Sequence, residues 1–259
     1  MRFYLSVLAV VLGSGLLAVS QTADELVDLN IKAKGGIDKI KAINSVRMQG
    51  KFSAGGINAA VSQENIRPGQ VRETFAIQGM MVIQAYDGST AWQINPFQGR
   101  KDPQLMGDDD TRDLLIDSDI DGPLVDYKAK GNTVEYLGHD TVEGDDAIRL
   151  KVTLKNGDII FYYLDPDSYL EIRKETQEFI RGAVHENVVE PGSYKPVAGV
   201  MFPFSIASGP KHDPSSWQNV TMETIEVNVP IENSHFAVPA ALKKASPGRG
   251  RDSEKFAKE

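Results

Sequence analysis

The sequence of 259 residues contains no cysteine. A disulfide framework, a thiolate metal site, a cysteine nucleophile and a lipid-modified cysteine anchor are therefore excluded. Basic residues are in deficit, because 28 Lys and Arg stand against 36 Asp and Glu, which gives a formal net charge of −8. Nucleic-acid binders usually present a basic surface, so the composition argues against a nucleic-acid partner.

Sequence signatures of catalysis are also lacking. There is no G-x-S-x-G elbow and no glycine-rich phosphate loop. A zinc-protease pattern begins at His185, but Val189 stands where the second histidine is needed. A serine triad built from scattered residues stays open, because geometry and not chain order defines a triad.

Long apolar runs are absent after the N-terminus. Leu5 to Val19 is a mostly apolar run of 15 residues that follows Arg2, whereas a membrane-spanning helix needs about 20 apolar residues. Ala18 and Ser20 are small residues placed for cleavage before residue 21. We predict that residues 1–20 are a secretory signal peptide and that the mature protein is soluble outside the cytoplasm. An uncleaved membrane anchor is the alternative.

Two short helices are predicted at the start of the mature chain. Residues 22–25 (Thr-Ala-Asp-Glu) fit a capping box, and Gly35 and Gly36 can end the helix that follows. A second helix is indicated by Ile37, Ile40 and Ile43, which recur every three residues.

From Ser45 onward the apolar period becomes two, which is typical of half-buried strands. Turn signals separate the runs, and Asn156-Gly157 is the strongest hairpin signal in the chain. About ten to twelve strands are predicted, which favours one antiparallel sheet system over residues 21–240. We predict a loop with one short helix over residues 98–126 and a flexible tail over residues 241–259.

Residues 117–122 resemble the first half of a calcium loop. Asp117, Asp119 and Asp121 supply oxygens at alternate positions, and Gly122 allows the turn. The bidentate Glu expected at the last position is replaced by Lys128. A solvated acidic loop without metal is therefore the favoured interpretation, and a calcium-assisted hydrolase stays as a minor alternative.

The apolar residues of the strands fit two interpretations. An antiparallel sheet of this length must curl, and its concave face can either be filled or enclose an apolar cavity. A filled core predicts a secreted surface or assembly module, whereas a cavity predicts a carrier of acyl chains. Periodicity alone does not separate the two, because both need the same residues.

Two linked motifs resemble the LolA-like periplasmic carriers of outer-membrane lipoprotein sorting. The first is Arg67-Pro68 followed by V-R-E-T-F at residues 71–75, and the second is D-G-S-T-A-W-Q-I-N-P-F at residues 87–97. Their order and spacing agree with the family's pattern, in which an Arg-Pro turn precedes a strand and a D-G-x-x-x-W-x-x-N-P-F hairpin follows. The motifs near residues 193–203 and 236–239 are also similar to a branch of this family.

The resemblance implies a mainly β fold: a single antiparallel half-barrel, or incomplete β-barrel, with N-terminal and lid helices. It also implies a carrier without catalytic residues, cofactor or metal, and Arg67 falls on the arginine that holds the lid in the closed state. The expected partners are an acylated lipoprotein or lipid, an inner-membrane donor and an outer-membrane acceptor. We expect a monomer in the periplasm.

Lipid contact is predicted for the strand residues with inward parity, and Arg67 is predicted to close the lid. The lipid-binding set is Met48, Phe52, Phe75, Met81, Ile83, Trp92, Ile94, Leu150, Val152, Phe161 and Phe204. One run in the last strand carries Met222 and Ile225 three residues apart, which predicts a β-bulge that switches parity there.

Overall fold

Fifteen strands, five α-helices and four short 3₁₀ helices are present within residues 21–245, the part of the chain that this computed structural model describes. The predicted signal peptide lies outside these residues, as does most of the predicted tail. The helices are α1 Ala23–Ala33, α2 Ile37–Lys41, α3 Arg112–Ser118, α4 Tyr127–Lys130 and α5 Ala240–Ala245. No helix within this range is both long and apolar enough to cross a membrane.

The strands follow the predicted order with a few additions. They are β1 Ser45–Ala54, β2 Ile57–Ile66, β3 Gln70–Ile77, β4 Met80–Tyr86, β5 Ala91–Ile94, β6 Gln104–Leu105, β7 Thr133–Val142, β8 Asp145–Thr153, β9 Ile159–Leu164, β10 Glu171–Ile180, β11 Ala183–Gly192, β12 Lys195–Val197, β13 Val200–Phe202, β14 Ser205–Pro210 and β15 Gln218–Val227. Residues 98–126 carry a short strand and α3, so the predicted loop with one short helix is nearly as observed.

Thirteen of the strands described here form one antiparallel sheet, in the order β6-β5-β4-β3-β2-β1-β15-β14-β11-β10-β9-β8-β7. The sheet does not close, because β6 and β7 are its two edges. The remaining pair, β12 and β13, forms a small ribbon. The predicted mainly β half-barrel is therefore confirmed.

The capping box predicted at the first helix is formed. The backbone N–H of Glu25 donates to Thr22 Oγ1 at 3.2 Å, and the backbone N–H of Thr22 donates to Glu25 Oε2 at 2.8 Å. Two otherwise unpaired donors at the start of α1 are thereby satisfied. This fixes where α1 begins, and hence which of its side chains face the sheet.

Helices α1, α2 and α3 pack against one face of the sheet, which we call the concave face. The two larger buried clusters fill parts of it. One lies between α1 and strands β8 and β9 and consists of Leu26, Val27, Leu124, Ile148, Leu150, Val152, Ile160, Tyr162 and Leu164. The other lies between α2 and strands β1 and β15 and consists of Ile40, Ile43, Val46, Val125, Val200, Met222 and Ile225.

A β-bulge in β15 keeps the second cluster on one face. Gln49 pairs with Thr224 whereas Gly50 pairs with Met222, so Glu223 is the extra residue. Because of it, Met222 and Ile225 both face inward although they are three residues apart, as the sequence predicted. Gly50 allows the close approach, since a Cβ there would lie 2.3 Å from the Thr221 carbonyl oxygen.

The opposite, convex face is crossed by the chain after β15, which we call the strap (residues 228–239). Its carbonyl groups accept hydrogen bonds from convex-face side chains of β1, β3 and β5. Arg47 Nη2 donates to Pro230, Arg72 Nη1 to His235 and Trp92 Nε1 to Phe236, at 3.2, 2.8 and 2.9 Å. The strap therefore buries apolar surface on the side of the sheet that the helices do not cover.

Candidate functional site

Four of the predicted lipid-binding residues lie on the concave face. Residues paired directly across neighbouring strands lie on the same face of the sheet. Met48 packs against the cluster under α2, so it lies on the concave face. Phe52 has the same parity on β1, and its ring meets that of Phe75 edge to face, with 5.7 Å between centroids and 84° between planes. Phe204 packs against the same cluster as Met48. All four are half-buried, so part of each side chain is accessible.

Leu150 and Val152 also lie on the concave face, but they are fully buried. Both belong to the cluster under α1, together with Leu26 and Val27. Their side chains are therefore core, and a ligand would reach them only if α1 moved away. The concave face is filled at this end of the sheet.

The inward orientation predicted for four residues of β4 and β5 is wrong. Trp92 pairs with Ala85, which pairs with Arg72, and Arg72 lies under the strap on the convex face. Ile94 pairs with Ile83 and has the same convex parity, and Met81 lies two residues from Ile83 on β4. The alternation predicted in β4 and β5 is present. Their apolar side chains lie on the convex face, where the strap covers Trp92.

The orientation predicted for Phe161 is wrong for a different reason. Leu150 and Val152 pair with Tyr162 and Ile160, which leaves Phe161 on the convex face. Its ring is covered by the Arg149 guanidinium, whose Cζ lies 4.6 Å from the ring centroid. Strand β9 is apolar on both faces, so its parity could not be read from hydrophobicity.

Arg67 connects the sheet to the helical layer. Its Nε donates to the Ile43 carbonyl oxygen at 2.6 Å, and its Nη2 donates to the Ile40 carbonyl oxygen at 3.1 Å. Both terminal nitrogens also donate to the Asp121 carboxylate, with Nη1 at 3.0 Å from Oδ2. One side chain therefore holds the end of α2 and the segment between α3 and α4. That this contact opens and closes a lid stays a prediction.

The Asp121 side chain is only 3% exposed. Burial alone would raise the pKa of its carboxyl group, but hydrogen bonds from Arg67 and Lys41 outweigh burial and hold the pKa below its usual range. Lys41 Nζ lies 2.6 Å from Asp121 Oδ2. Asp121 is therefore a buried anion held by two cations.

These contacts remove the basis of the calcium-loop alternative. Asp121 is bound by Arg67 and Lys41, Asp119 is paired with Lys130, and Asp117 faces the interior of the half-barrel. Within residues 21–245 no group of three or more His, Asp or Glu side chains is placed to hold a metal ion.

A cavity of about 410 Å³ lies between the concave face and α3. Apolar groups line part of it, including Phe75, Ile116 and Ile160. Nine of its sixteen lining residues are polar or charged: Glu73, Gln84, Asp113, Asp117, Lys174, Thr176, Asn187, Ser208 and Gln218. The cavity is therefore of mixed character and not purely apolar as the sequence analysis predicts, because polar residues occupy inward positions of β3, β4, β10 and β11.

The acids of the cavity have raised pKa values. Burial, with the nearby Asp117 and Asp113 carboxyl groups, raises the pKa of Glu73 to about 8. Burial raises the pKa of Asp117 to about 6, against the attraction of Lys174, and burial also raises that of Asp113. Within the described residues, none of these three carboxyl groups accepts a hydrogen bond or forms an ion pair. The empty cavity therefore shifts the equilibrium of all three groups toward the neutral form, and most strongly for Glu73.

Two more groups on the cavity side of β10 lack partners. Glu178 is 3% exposed, and its Oε1 has no hydrogen bond; burial, with Asp113 and Asp158 nearby, raises its pKa to about 7. Thr176 Oγ1 is also buried without a partner. Buried polar groups are nearly always paired, so unpartnered atoms beside a polar cavity indicate hydrogen-bonding capacity that this state leaves unused.

Sequence reasoning missed the polar wall, although one signal was present. Glu73 lies between Val71 and Phe75 in the alternation of β3, so its parity is inward like theirs. An acid at an inward position is unusual enough to mark a site. The cavity residues of β10 and β11, such as Lys174 and Asn187, carry no comparable sequence signal. They lie opposite β3 only because the sheet curls.

A larger groove of about 710 Å³ lies between α1, α2 and α4. Its walls include Asp24, Asp28, Ile37 and Lys128, and its floor includes Leu124 from the cluster under α1. It is more open than the cavity and is bounded by exposed charged side chains of both signs. We therefore take the concave cavity, with its buried unpartnered groups, as the candidate site.

No protein-family profile and no curated protein matches this chain. The solved structures that share its fold at low identity include the following three. A LolA superfamily protein from Nitrosomonas europaea aligns with a TM-score of 0.57 and 9% identity over 85% of this chain and 99% of its own. A DUF1329 family protein from Desulfovibrio piger gives 0.56 and 10%, over 84% and 98%. A putative outer membrane lipoprotein-sorting protein domain from Vibrio parahaemolyticus gives 0.55 and 11%, over 83% and 97%. The fold is therefore LolA-like.

Proposed function

We propose that this LolA-like half-barrel is a non-enzymatic carrier that holds the acyl chain of a lipoprotein or lipid against its concave face. The observation that carries the proposal is an apolar concave surface that stays partly accessible in a sheet that does not close. This apolar surface includes the ring pair of Phe52 and Phe75, and Phe75 also lines the cavity. Each CH₂ buried there contributes about 0.8 kcal/mol, so a long chain needs no strong polar anchor.

The proposal includes a location and a route. An N-terminal signal would export the chain to the periplasm, where it would act as a monomer. It would receive its cargo from a donor at the inner membrane and deliver it to an acceptor at the outer membrane. The fold of the lipoprotein-sorting domain from Vibrio parahaemolyticus supports this role by analogy.

The direct test is native mass spectrometry of the protein purified from a bacterial periplasm without detergent. We expect an added mass that matches a phospholipid, a fatty acid or an acylated peptide. A bare protein mass, together with no uptake of an added acylated peptide, would instead favour a secreted β module without a ligand. The same spectrum shows whether residues 1–20 have been removed.

A pair of matched variants tests which face binds. Phe52→Gln places an amide on the concave surface, whereas Met81→Gln does so on the convex face, where Met81 is 47% exposed. Loss of a buried aromatic side chain costs about 1.5–3 kcal/mol, so we expect Phe52→Gln to weaken binding of an acylated peptide about ten-fold or more. Met81→Gln should leave the affinity unchanged.

Fluorescence anisotropy of a labelled acylated peptide measures both affinities, and circular dichroism checks that both variants fold. Equal weakening by the two substitutions would argue against a binding surface on the concave face. An unchanged affinity of Phe52→Gln for the acylated peptide would also argue against a binding surface on the concave face.

A further inference from the structure

The apolar surface and the polar cavity meet on one strand. Phe75 and Glu73 lie two residues apart on the concave face of β3, a separation of about 7 Å, and both line the cavity. A ligand that covers Phe52 and Phe75 with its chain would therefore have its other end at Glu73. The chemistry of the cavity wall decides which kind of end can lie there.

The wall is acidic on balance. Glu73, Asp113 and Asp117 supply three carboxyl groups, and Lys174 supplies one ammonium group, which gives a formal charge of −2 when all are ionised. The carboxyl groups have no donor partners within the described residues. A carboxylate or phosphate entering this space would meet three acids, whereas a group that donates hydrogen bonds and carries positive charge would satisfy them.

A buried group outside the immediate wall supports the same conclusion. Glu178, on the cavity side of β10, is 3% exposed and has an unpartnered oxygen. Arg112, the cation whose charge acts on the Glu178 carboxyl group, is engaged with Asp158 at 2.6 Å. The fold therefore keeps more acceptor atoms around the cavity than its own cations satisfy.

We propose that the cavity binds the primary ammonium group of an amphiphilic ligand whose acyl or alkyl chain lies on the Phe52–Phe75 surface. The inference rests on the carrier function proposed above and adds the class of headgroup. The ammonium group would donate its hydrogen bonds to Glu73 and Asp117, with Asp113 adding to the negative field. Lys174 faces Asp117 from β10 and lowers, but does not cancel, that field.

The test compares probes that share a chain and differ in the head. Dodecylamine, dodecanol and dodecanoic acid are titrated below their aggregation concentrations at neutral pH by isothermal calorimetry, and propylamine serves as the head without the chain. A hydrogen bond between ionised groups is stronger than one from a neutral hydroxyl, so we expect dodecylamine to bind about ten-fold or more tightly than dodecanol. Dodecanoate should bind most weakly of the three, and propylamine should not bind measurably.

Glu73→Gln is the matched variant, because it keeps the shape of the side chain and removes its charge. We expect it to reduce the preference for dodecylamine over dodecanol to about three-fold or less, since one charged partner of the ammonium group is lost. Phe52→Gln should weaken all three long-chain probes equally and leave the preference intact. Asp117→Asn gives a second variant should Glu73→Gln not fold.

The outcomes separate the two proposals. Equal affinities for the amine and the alcohol, or tighter binding of dodecanoate, would refute the ammonium site and leave the carrier function standing. Binding of propylamine as tight as that of dodecylamine would point to a free amine as ligand and refute the amphiphile. If none of the three long-chain probes binds, the carrier function itself fails.

The pH dependence gives an independent readout. In the empty cavity, burial and the neighbouring Asp117 and Asp113 raise the pKa of Glu73 to about 8. Burial raises the pKa of Asp117 to about 6 against the opposing Lys174 on the facing strand, and burial with the nearby Asp158 raises the pKa of Asp113. A bound cation favours the ionised acids, so binding releases protons and tightens as the pH rises from about 6 to about 8. An affinity for dodecylamine that is constant over this range would contradict cation binding at these acids.

Discussion

Replacement of Arg67 by Leu is expected to lower the free energy of unfolding by about 3 kcal/mol while the protein still folds. The substitution leaves the carboxylate of Asp121, which is 3% exposed, with Lys41 as its remaining cation. Removal of one partner from a buried ion pair typically costs about 3–5 kcal/mol, and Lys41 offsets part of that. The carbonyl groups of Ile40 and Ile43 also lose their donor.

The same substitution tests the predicted role of Arg67 in closing the lid. Without it, α2 and the segment between α3 and α4 are no longer held to the start of β3, so we expect a smaller bound fraction of acylated peptide. Denaturant unfolding followed by circular dichroism gives the stability, and native mass spectrometry gives the bound fraction. An unchanged bound fraction at equal protein and peptide concentrations would count against this role.

Arg47→Leu is the control for both measurements. Arg47 also bridges two elements, since it pairs with Glu64 at 2.9 Å and donates to the strap, but it lies on the convex face with a side chain 28% exposed. A partly exposed ion pair contributes about 1 kcal/mol or less. We therefore expect a small loss of stability and no change in the bound fraction.

A rise in pH from 5 to 8 is expected to destabilise the ligand-free protein. Glu73 keeps its proton in the folded state up to about pH 8, whereas an ordinary glutamate in the unfolded chain loses its proton near pH 4.5. Between these values the folded state binds more protons, so the free energy of unfolding falls as the pH rises. Asp117 and Glu178, with raised pKa values of about 6 and about 7, act in the same direction.

The shift of the Glu73 pKa sets an upper limit of about 5 kcal/mol on its own contribution. Solvent that reaches the cavity reduces this, and we expect about 2–3 kcal/mol, or a fall in melting temperature of about 5 °C or more. In Glu73→Gln the part of the pH-dependent fall in melting temperature that Glu73 causes should disappear. In Glu223→Gln, where the substituted side chain is exposed, the fall should be the same as in the parent protein. A melting temperature of Glu73→Gln that depends on pH as steeply as the parent protein's would refute the contribution of Glu73.

The fold could be predicted from the sequence because several local signals agreed. The capping box at Thr22, the period-two runs from Ser45 and the Asn156-Gly157 turn each fix one element, and the observed elements follow them. The period-two signal is weak in β7, where Leu137 is the extra residue of a bulge and shifts the alternation. The bulge in β15 was predicted because its two apolar residues, Met222 and Ile225, are spaced by three.

The candidate site was less predictable from the sequence. Alternation of apolar and polar residues shows which side chains of a strand share a face, but it does not show which face is concave. For β1 the apolar face is the concave one, and Met48 and Phe52 were placed correctly. For β4 and β5 the strap covers part of the other face, so Trp92 and Ile94 were placed wrongly. The strap follows the last strand, far away in sequence, and no pattern within β5 indicates that it lies there.

Trp92 is buried to 96% by the sheet and the strap, and its indole N–H donates to the Phe236 carbonyl oxygen. Since the chain has only two tryptophans, Trp217→Phe would leave Trp92 as a single fluorophore. Its emission would shift to longer wavelength when the strap detaches, and would be insensitive to a ligand on the opposite side of the sheet. The protein thus carries an intrinsic optical probe of its C-terminal closure, which can be followed separately from cargo loading.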